Sequence, residues 1–253
     1  MEHDAYNHYN LKNTVMSHIK NMQAFGKLTG VCTGLGGTYN PGQQNLQVNA
    51  MTTLLNIAQQ SWEEVKEAEK AYDNATNHRE LGFRKIRRLS SSVYSMLKAC
   101  GADPLLMKDA LNSKRRIWGA PISKQPLVST EPEAIKADTR PSYGMGYVTM
   151  SNYFDRLVKT VASEPRYIPN EPELMLVNLQ GTLANLFNIN QAVMDAEIRL
   201  EKARIKCNNV YYIAPENLVD TALAVKSYVR GVFGYQSQEH QQIQKLHFTK
   251  PIL

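Results

Sequence analysis

The sequence predicts an all-α protein, an elongated helical bundle made of two diverged copies of one helical unit. Three observations carry the prediction. Apolar residues recur at steps of three and four through two long segments, strand-forming runs are scarce, and the chain matches itself at a fixed offset that sets position 39 against position 167.

The self-match begins where Tyr39-Asn40-Pro41-Gly42 faces Tyr167-Ile168-Pro169-Asn170. Without a gap, the same offset pairs Leu46 with Leu174, Leu55 with Leu183, Val65 with Val193, Ala68-Glu69 with Ala196-Glu197, and Ala75 with Ala203. Conservative pairs share the register, among them Met51 with Leu179 and Phe83 with Tyr211. Further on, gaps are needed, but Ala99-Cys100-Gly101 still faces Val232-Phe233-Gly234. Each copy therefore reads as short helix, Tyr-x-Pro turn, long helix, medium helix and short helix. The first copy spans 1–118, a linker 119–147 and the second copy with a C-terminal tail 148–253.

In chain order, a short helix is expected near 10–21, followed by a flexible glycine-rich loop over 26–42. The first long helix has the seam Met51, Leu55, Ala58, Trp62, Val65, Ala68, Tyr72, Ala75 and Arg79. The second has Leu179, Leu183, Leu186, Val193, Ala196, Leu200, Ala203 and Cys207. Seven residues per two turns favours lengthwise packing over steep crossing, and a helix of about forty residues would be about 60 Å long. Gly82 is expected to bend the first long helix, Gly101 and Gly234 to cap helix C-termini, and Pro215 to sit in the first turn of a helix. The linker carries Pro121, Pro126, Pro132 and Pro141, with a brief helical turn near 133–137. Strand signal is confined to 31–35 and 245–249, too short for a sheet.

Composition bounds the function. The 253 residues, 43% hydrophobic and 21% charged, suffice for one large core or two ordinary ones. Cys32, Cys100 and Cys207 are odd in number and far apart, so they read as packing thiols of a reducing compartment. The chain has no apolar run of membrane-spanning length, and Met1-Glu2-His3-Asp4 lacks the basic-then-apolar pattern of a secretory leader. A cytoplasmic protein with no membrane partner is expected.

Catalytic and cofactor motifs fail on detail. In the loop 26–42, Thr38-Tyr39 follows Gly37 where a phosphate loop requires Lys and then Ser or Thr. Tyr39 also stands where a dinucleotide fingerprint needs its third glycine. The six histidines, including His18 and His78, never take zinc spacing. Ser95-Met96-Leu97-Lys98 fits a bare Ser-x-x-Lys string without its companion motifs. Glu69 and Glu197 read as solvated edge carboxylates. No cofactor, metal or catalytic residue is assigned, and a non-enzymatic protein is expected.

Two basic clusters remain, Arg84, Lys85, Arg87 and Arg88, then Lys114, Arg115 and Arg116 before Ile117-Trp118. The first would place Arg84 and Arg88 on one helical face, able to meet phosphates. The equivalent stretch of the second copy, 212–220, holds Glu216 and Asp220 and no basic residue. A solvated face, a contact with an acidic protein surface and a nucleic-acid contact all fit the pattern, within a net charge of +6 and a pI near 9.1.

The segments Tyr167-Ile-Pro-Asn-Glu-Pro-Glu-Leu174, Asn217-Leu-Val-Asp220, Lys226-Ser-Tyr-Val229, Val232-Phe-Gly234 and Lys245-Leu-His-Phe-Thr-Lys250 stand beside Phe25-Gly26 and Tyr39-Asn-Pro-Gly42. Together they resemble a family of uncharacterised two-repeat helical proteins encoded by Bacteroidota. The resemblance implies the duplicated helical design in a cytoplasmic bacterial protein, and no activity, cofactor or functional residue. The leading expectation is a structural or assembly protein that forms homo-oligomers or filaments. The alternative is a nucleic-acid-associated protein using the basic patch, and an enzyme with a site between the copies comes third.

Overall fold

The computed structural model describes residues 2–119 and 146–250, with side chains from Met16 onward. Among the described residues there are eight α-helices and no strand, as the seams predict. In order they are α1 (Glu2–Gly34), α2 (Val48–Phe83), α3 (Ile86–Ala99), α4 (Pro104–Ile117), α5 (Tyr147–Ala162), α6 (Leu176–Asn208), α7 (Leu218–Phe233) and α8 (Gln238–Gln244). None of them is long and apolar enough to cross a membrane. The expected linker and its helical turn lie outside the described residues.

Two compact units divide the chain, Met1–Ala71 with Glu197–Leu253, and Tyr72–Ala196. They cross the repeat boundaries read from the sequence, because each takes the start of one long helix and the end of the other. The first unit buries Phe25, Leu28 and Cys32 of α1, Met51, Ala58, Trp62 and Val65 of α2, Cys207 of α6, and Leu218, Ala222, Val225 and Val229 of α7. In the second, Phe83, Ile86, Val93, Leu97, Ala110, Ile117, Phe154, Leu157, Leu179 and Leu186 form one cluster. Cys32 and Cys207 are buried, and Cys100 is half-buried.

The glycine segment departs furthest from what the sequence suggests. Helix α1 runs through Gly26 and Gly30 to Gly34, so the expected short helix and most of the expected loop are one helix. Phe25, Leu28 and Cys32, spaced three and four apart and fully buried, outweigh the penalty of about 1 kcal/mol for each helical glycine. Only a 3-10 turn, Gly36–Thr38, and the chain to residue 43 remain irregular, and Gly36 takes a positive φ of 54°. Residues 31–34 of the first expected strand are helical. Residues 246–249 of the second are non-helical, held by Asn21, whose Oδ1 accepts from Thr249 N at 2.9 Å while its Nδ2 donates to Thr249 O at 2.7 Å.

The Tyr-x-Pro turns start both long helices by one device. Tyr39 Oη donates to Leu46 O at 2.7 Å, and Tyr167 Oη donates to Leu174 O at 3.0 Å. Each accepting residue closes a 3-10 turn, Gln44–Leu46 or Pro172–Leu174, and α2 and α6 begin two positions later. The next helices, α3 and α7, no longer keep the offset of the tyrosines, because a π turn, Asn209–Ile213, lengthens the chain between α6 and α7. Buried Ile86, Ser90, Val93 and Leu97 of α3 answer Leu218, Ala222, Val225 and Val229 of α7, each set counted from the first position of its helix.

Gly101 and Gly234 end helices with φ of 69° and 93°, the left-handed region that glycine enters without strain. Pro215 lies in the turn before α7 rather than in its first turn. Asn217 is the cap there, accepting from Asp220 N at 2.9 Å. Gly82 leaves α2 helical to Phe83, and its role is closeness: a Cβ there would stand 2.7 Å from Ile189 Cδ1 of α6. Glu69 is half-buried and paired with Arg204 at 3.2 Å, while Glu197 is exposed.

His18, in the first unit, is 5% exposed. Its ring lies 5.6 Å from Trp62, 4.7 Å from Tyr211 and 5.2 Å from Tyr212. Nε2 meets Asn208 Oδ1 at 3.0 Å and Nδ1 is buried without a partner. Burial among the rings disfavours the imidazolium and lowers its pKa from 6.5 to about 4, against the smaller opposing pull of Asn208.

Two outcomes follow. Gly82→Leu forces Ile189 to move and should cost on the order of 1–3 kcal/mol in chemical denaturation, with part of the loss recovered by adding Ile189→Ala. The unfolded chain protonates His18 near pH 6.5 and the folded chain only near 4, so stability is full above 6.5 and falls as pH drops to 4, by at most about 3 kcal/mol. In His18→Phe the slope of stability against pH across that window should flatten.

Candidate nucleic-acid interface

Helix α3 turns Ile86, Ser90, Val93 and Leu97 inward, which leaves Arg87 and Arg88 exposed in its first turn; Arg84 and Lys85 are exposed in the turn before it, so Arg84 is not on a helical face with Arg88 as the sequence suggested. After Ala99 the chain reverses. Cys100 N donates to Met96 O at 3.0 Å and Ala102 N to Leu97 O at 3.2 Å, with Gly101 in the left-handed region between them. Asp103 then caps α4, accepting from Leu105 N at 2.8 Å, and Pro104 supplies a first-turn residue that has no N–H to satisfy.

Helix α4 runs back along α3, burying Ala110, Ser113 and Ile117, and ends with Lys114, Arg115 and Arg116 in its last turn, where cations complement the helix dipole. Trp118 latches the two ends together. Its indole Nε1 is 3.1 Å from Arg87 O and 3.1 Å from Ser91 Oγ, so one N–H is shared between two acceptors on α3.

The two basic clusters, separate in sequence, thus meet at one end of the α3–α4 hairpin. Arg84, Lys85, Arg87, Arg88 and Arg115 are exposed, while Lys114 and Arg116 are half-buried. Lys114 Nζ lies 4.9 Å from the Tyr94 ring, and the Arg116 and Arg156 guanidinium groups lie 5.7 and 5.3 Å from the Tyr153 ring. None of the seven cations forms an ion pair among the described residues.

Residues 84–119 contain nine lysines and arginines against Asp103 and Asp109, a net charge of +7. The whole chain is +6, so everything outside this segment sums to −1. The net positive charge of this protein is concentrated in one hairpin. Its strongest end coincides with a helix start that has neither an acidic first-turn residue nor a capping side chain. The start of α7, which shares the burial pattern of α3, has both, in Asp220 and Asn217.

Lys85 and Arg88 also face an open groove of about 950 Å³. Gly82, Ile86, Leu89 and Ser92 line it on the same side, and Glu171, Glu173, Leu174 and Asn178 line it opposite. The carboxylates bound the positive field on that side, so an anion is attracted to the hairpin and not to the far wall.

Other sequence candidates are dispersed. Ser95 and Lys98 are exposed on α3, and His78 is exposed on α2. Among the described residues no three His, Cys, Asp or Glu side chains gather where they could hold a metal ion. Neither the Trp118 latch nor the concentration of net charge in one hairpin is evident from motif spacing. A segment-by-segment charge count reveals the second, whereas the indole hydrogen bonds require the fold. Compared with known proteins, the chain matches no family model, no curated protein and no solved structure.

Proposed function

We propose that this protein binds nucleic acid through the basic end of the α3–α4 hairpin. The carrying observation is the meeting of the two basic clusters, seven cations with no carboxylate partner among the described residues. A polyanion supplies what the surface lacks: neutralisation of closely placed like charges, and negative charge at an uncapped helix start. Binding of this kind is dominated by phosphate contacts and is weakly dependent on sequence. The electrostatic contrast with the α7 start supports specialisation of one of two related helix starts.

A second reading, self-association, is favoured by α6. Besides its buried seam, Phe187, Met194, Ile198 and Ile205 are 41%, 49%, 51% and 59% exposed. Steps of seven, four and seven put these four side chains along one line of the helix, an apolar stripe of the kind that covers itself with another helix. A cytoplasmic location suits both readings.

For nucleic acid, replacing Arg84, Arg87 and Arg88 together with glutamate should reduce affinity for an oligonucleotide at least a hundredfold in fluorescence anisotropy, with the helical circular dichroism unchanged. Wild-type affinity in the triple variant would remove the hairpin from the interface. For self-association, light scattering after nuclease treatment should give a mass above one chain that Met194→Glu with Ile198→Glu returns to one chain. A nuclease-treated wild type already of single-chain mass would sink that reading.

A further inference from the structure

Trp118 does more than latch the hairpin. The residue is 52% exposed although its only polar side-chain atom is already satisfied by Arg87 O and Ser91 Oγ. An indole held by its edge has little freedom to fold away, so its apolar surface is presented to solvent in a fixed orientation. Arg87 and Ser91, which hold it, and Tyr94 fall within about 60° of one another around α3 at about 100° per residue. The exposed indole therefore lies beside Arg87, with Lys114 over Tyr94 next to it.

A fixed aromatic surface among unpaired cations matches the chemistry of unstacked nucleotides: a base on the ring, its phosphates on the flanking cations. Paired bases in a duplex are stacked on each other and offer no such surface. Resting on the nucleic-acid reading above, we infer that the preferred ligand is single-stranded, with Trp118 as a base-stacking platform and Arg87 and Lys114 as its phosphate clamps.

The chain has two tryptophans, and Trp62 is 8% exposed in the first unit's core, so quenching by a ligand reports on Trp118. The test titrates the full-length protein with oligothymidylate, oligouridylate and a DNA duplex of equal length, reading tryptophan fluorescence and anisotropy. Quenching by both single strands and at least tenfold weaker duplex binding are expected. Trp118→Leu should lose about tenfold or more in single-strand affinity, in line with stacking worth roughly 1–3 kcal/mol per base, while duplex affinity falls no further than it does in Trp118→Phe, which loses the latch alone. Trp118→Phe, which keeps a ring but forfeits the indole hydrogen bonds, separates stacking from latching and should keep most of the single-strand affinity.

Equal loss in Trp118→Phe and Trp118→Leu, or a duplex bound as tightly as a single strand without quenching, overturns the platform and leaves the hairpin as a nucleic-acid interface. Absence of binding to all three ligands overturns both.

Discussion

Seven cations are held at one end of the α3–α4 hairpin against their own repulsion, and the packing beneath them is what permits it. Two like charges about 10 Å apart at a wet surface cost roughly 0.4 kcal/mol. Burying a large aliphatic side chain contributes about 1.5–3 kcal/mol. Seven cations make 21 pairs, about 9 kcal/mol if all lay at that spacing without salt, and burial of Ile86, Val93, Leu97 and Ile117 to within 1% on the inner side of the hairpin is of the same order, so packing offsets the repulsion. Gly101 completes the constraint by reversing the chain at the length that returns Trp118 to Arg87. Without that reversal the two clusters would be separate patches on separate helices.

Two helix starts with the same burial pattern carry opposite electrostatics. Helices α3 and α7 bury side chains at corresponding positions along their length. At the start of α7, Asn217 and Asp220 satisfy and complement the first turn. The start of α3 presents four cations and no cap. A helix start of this kind is less stable in isolation and better suited to an anion, the usual exchange of stability for binding at a functional surface.

What the sequence makes legible is what depends on local spacing. The seams of α2 and α6, the glycine caps at Gly101 and Gly234, and the membership of both basic clusters follow from periodicity and residue chemistry. What depends on long-range packing is not legible. The closely spaced glycines from Gly26 to Gly42 look like a loop, yet Phe25, Leu28 and Cys32 bury enough surface to keep α1 helical through three of them. His18 reads as one histidine among six until Trp62, Tyr211 and Tyr212 close around it. Likewise the basic clusters stay two until a turn and an indole hydrogen bond make them one surface, and on that surface we rest the proposal of nucleic-acid binding ahead of self-assembly.

The most direct measurement is the affinity of the wild-type protein for an oligonucleotide as a function of salt. Phosphate contacts by several of the seven cations release condensed counterions, so log K should fall linearly with log salt, with a slope of about −0.7 per phosphate engaged on a single strand. A slope of about −3 or steeper is the result predicted for the hairpin. Affinity insensitive to salt, or no binding at low salt, would contradict it.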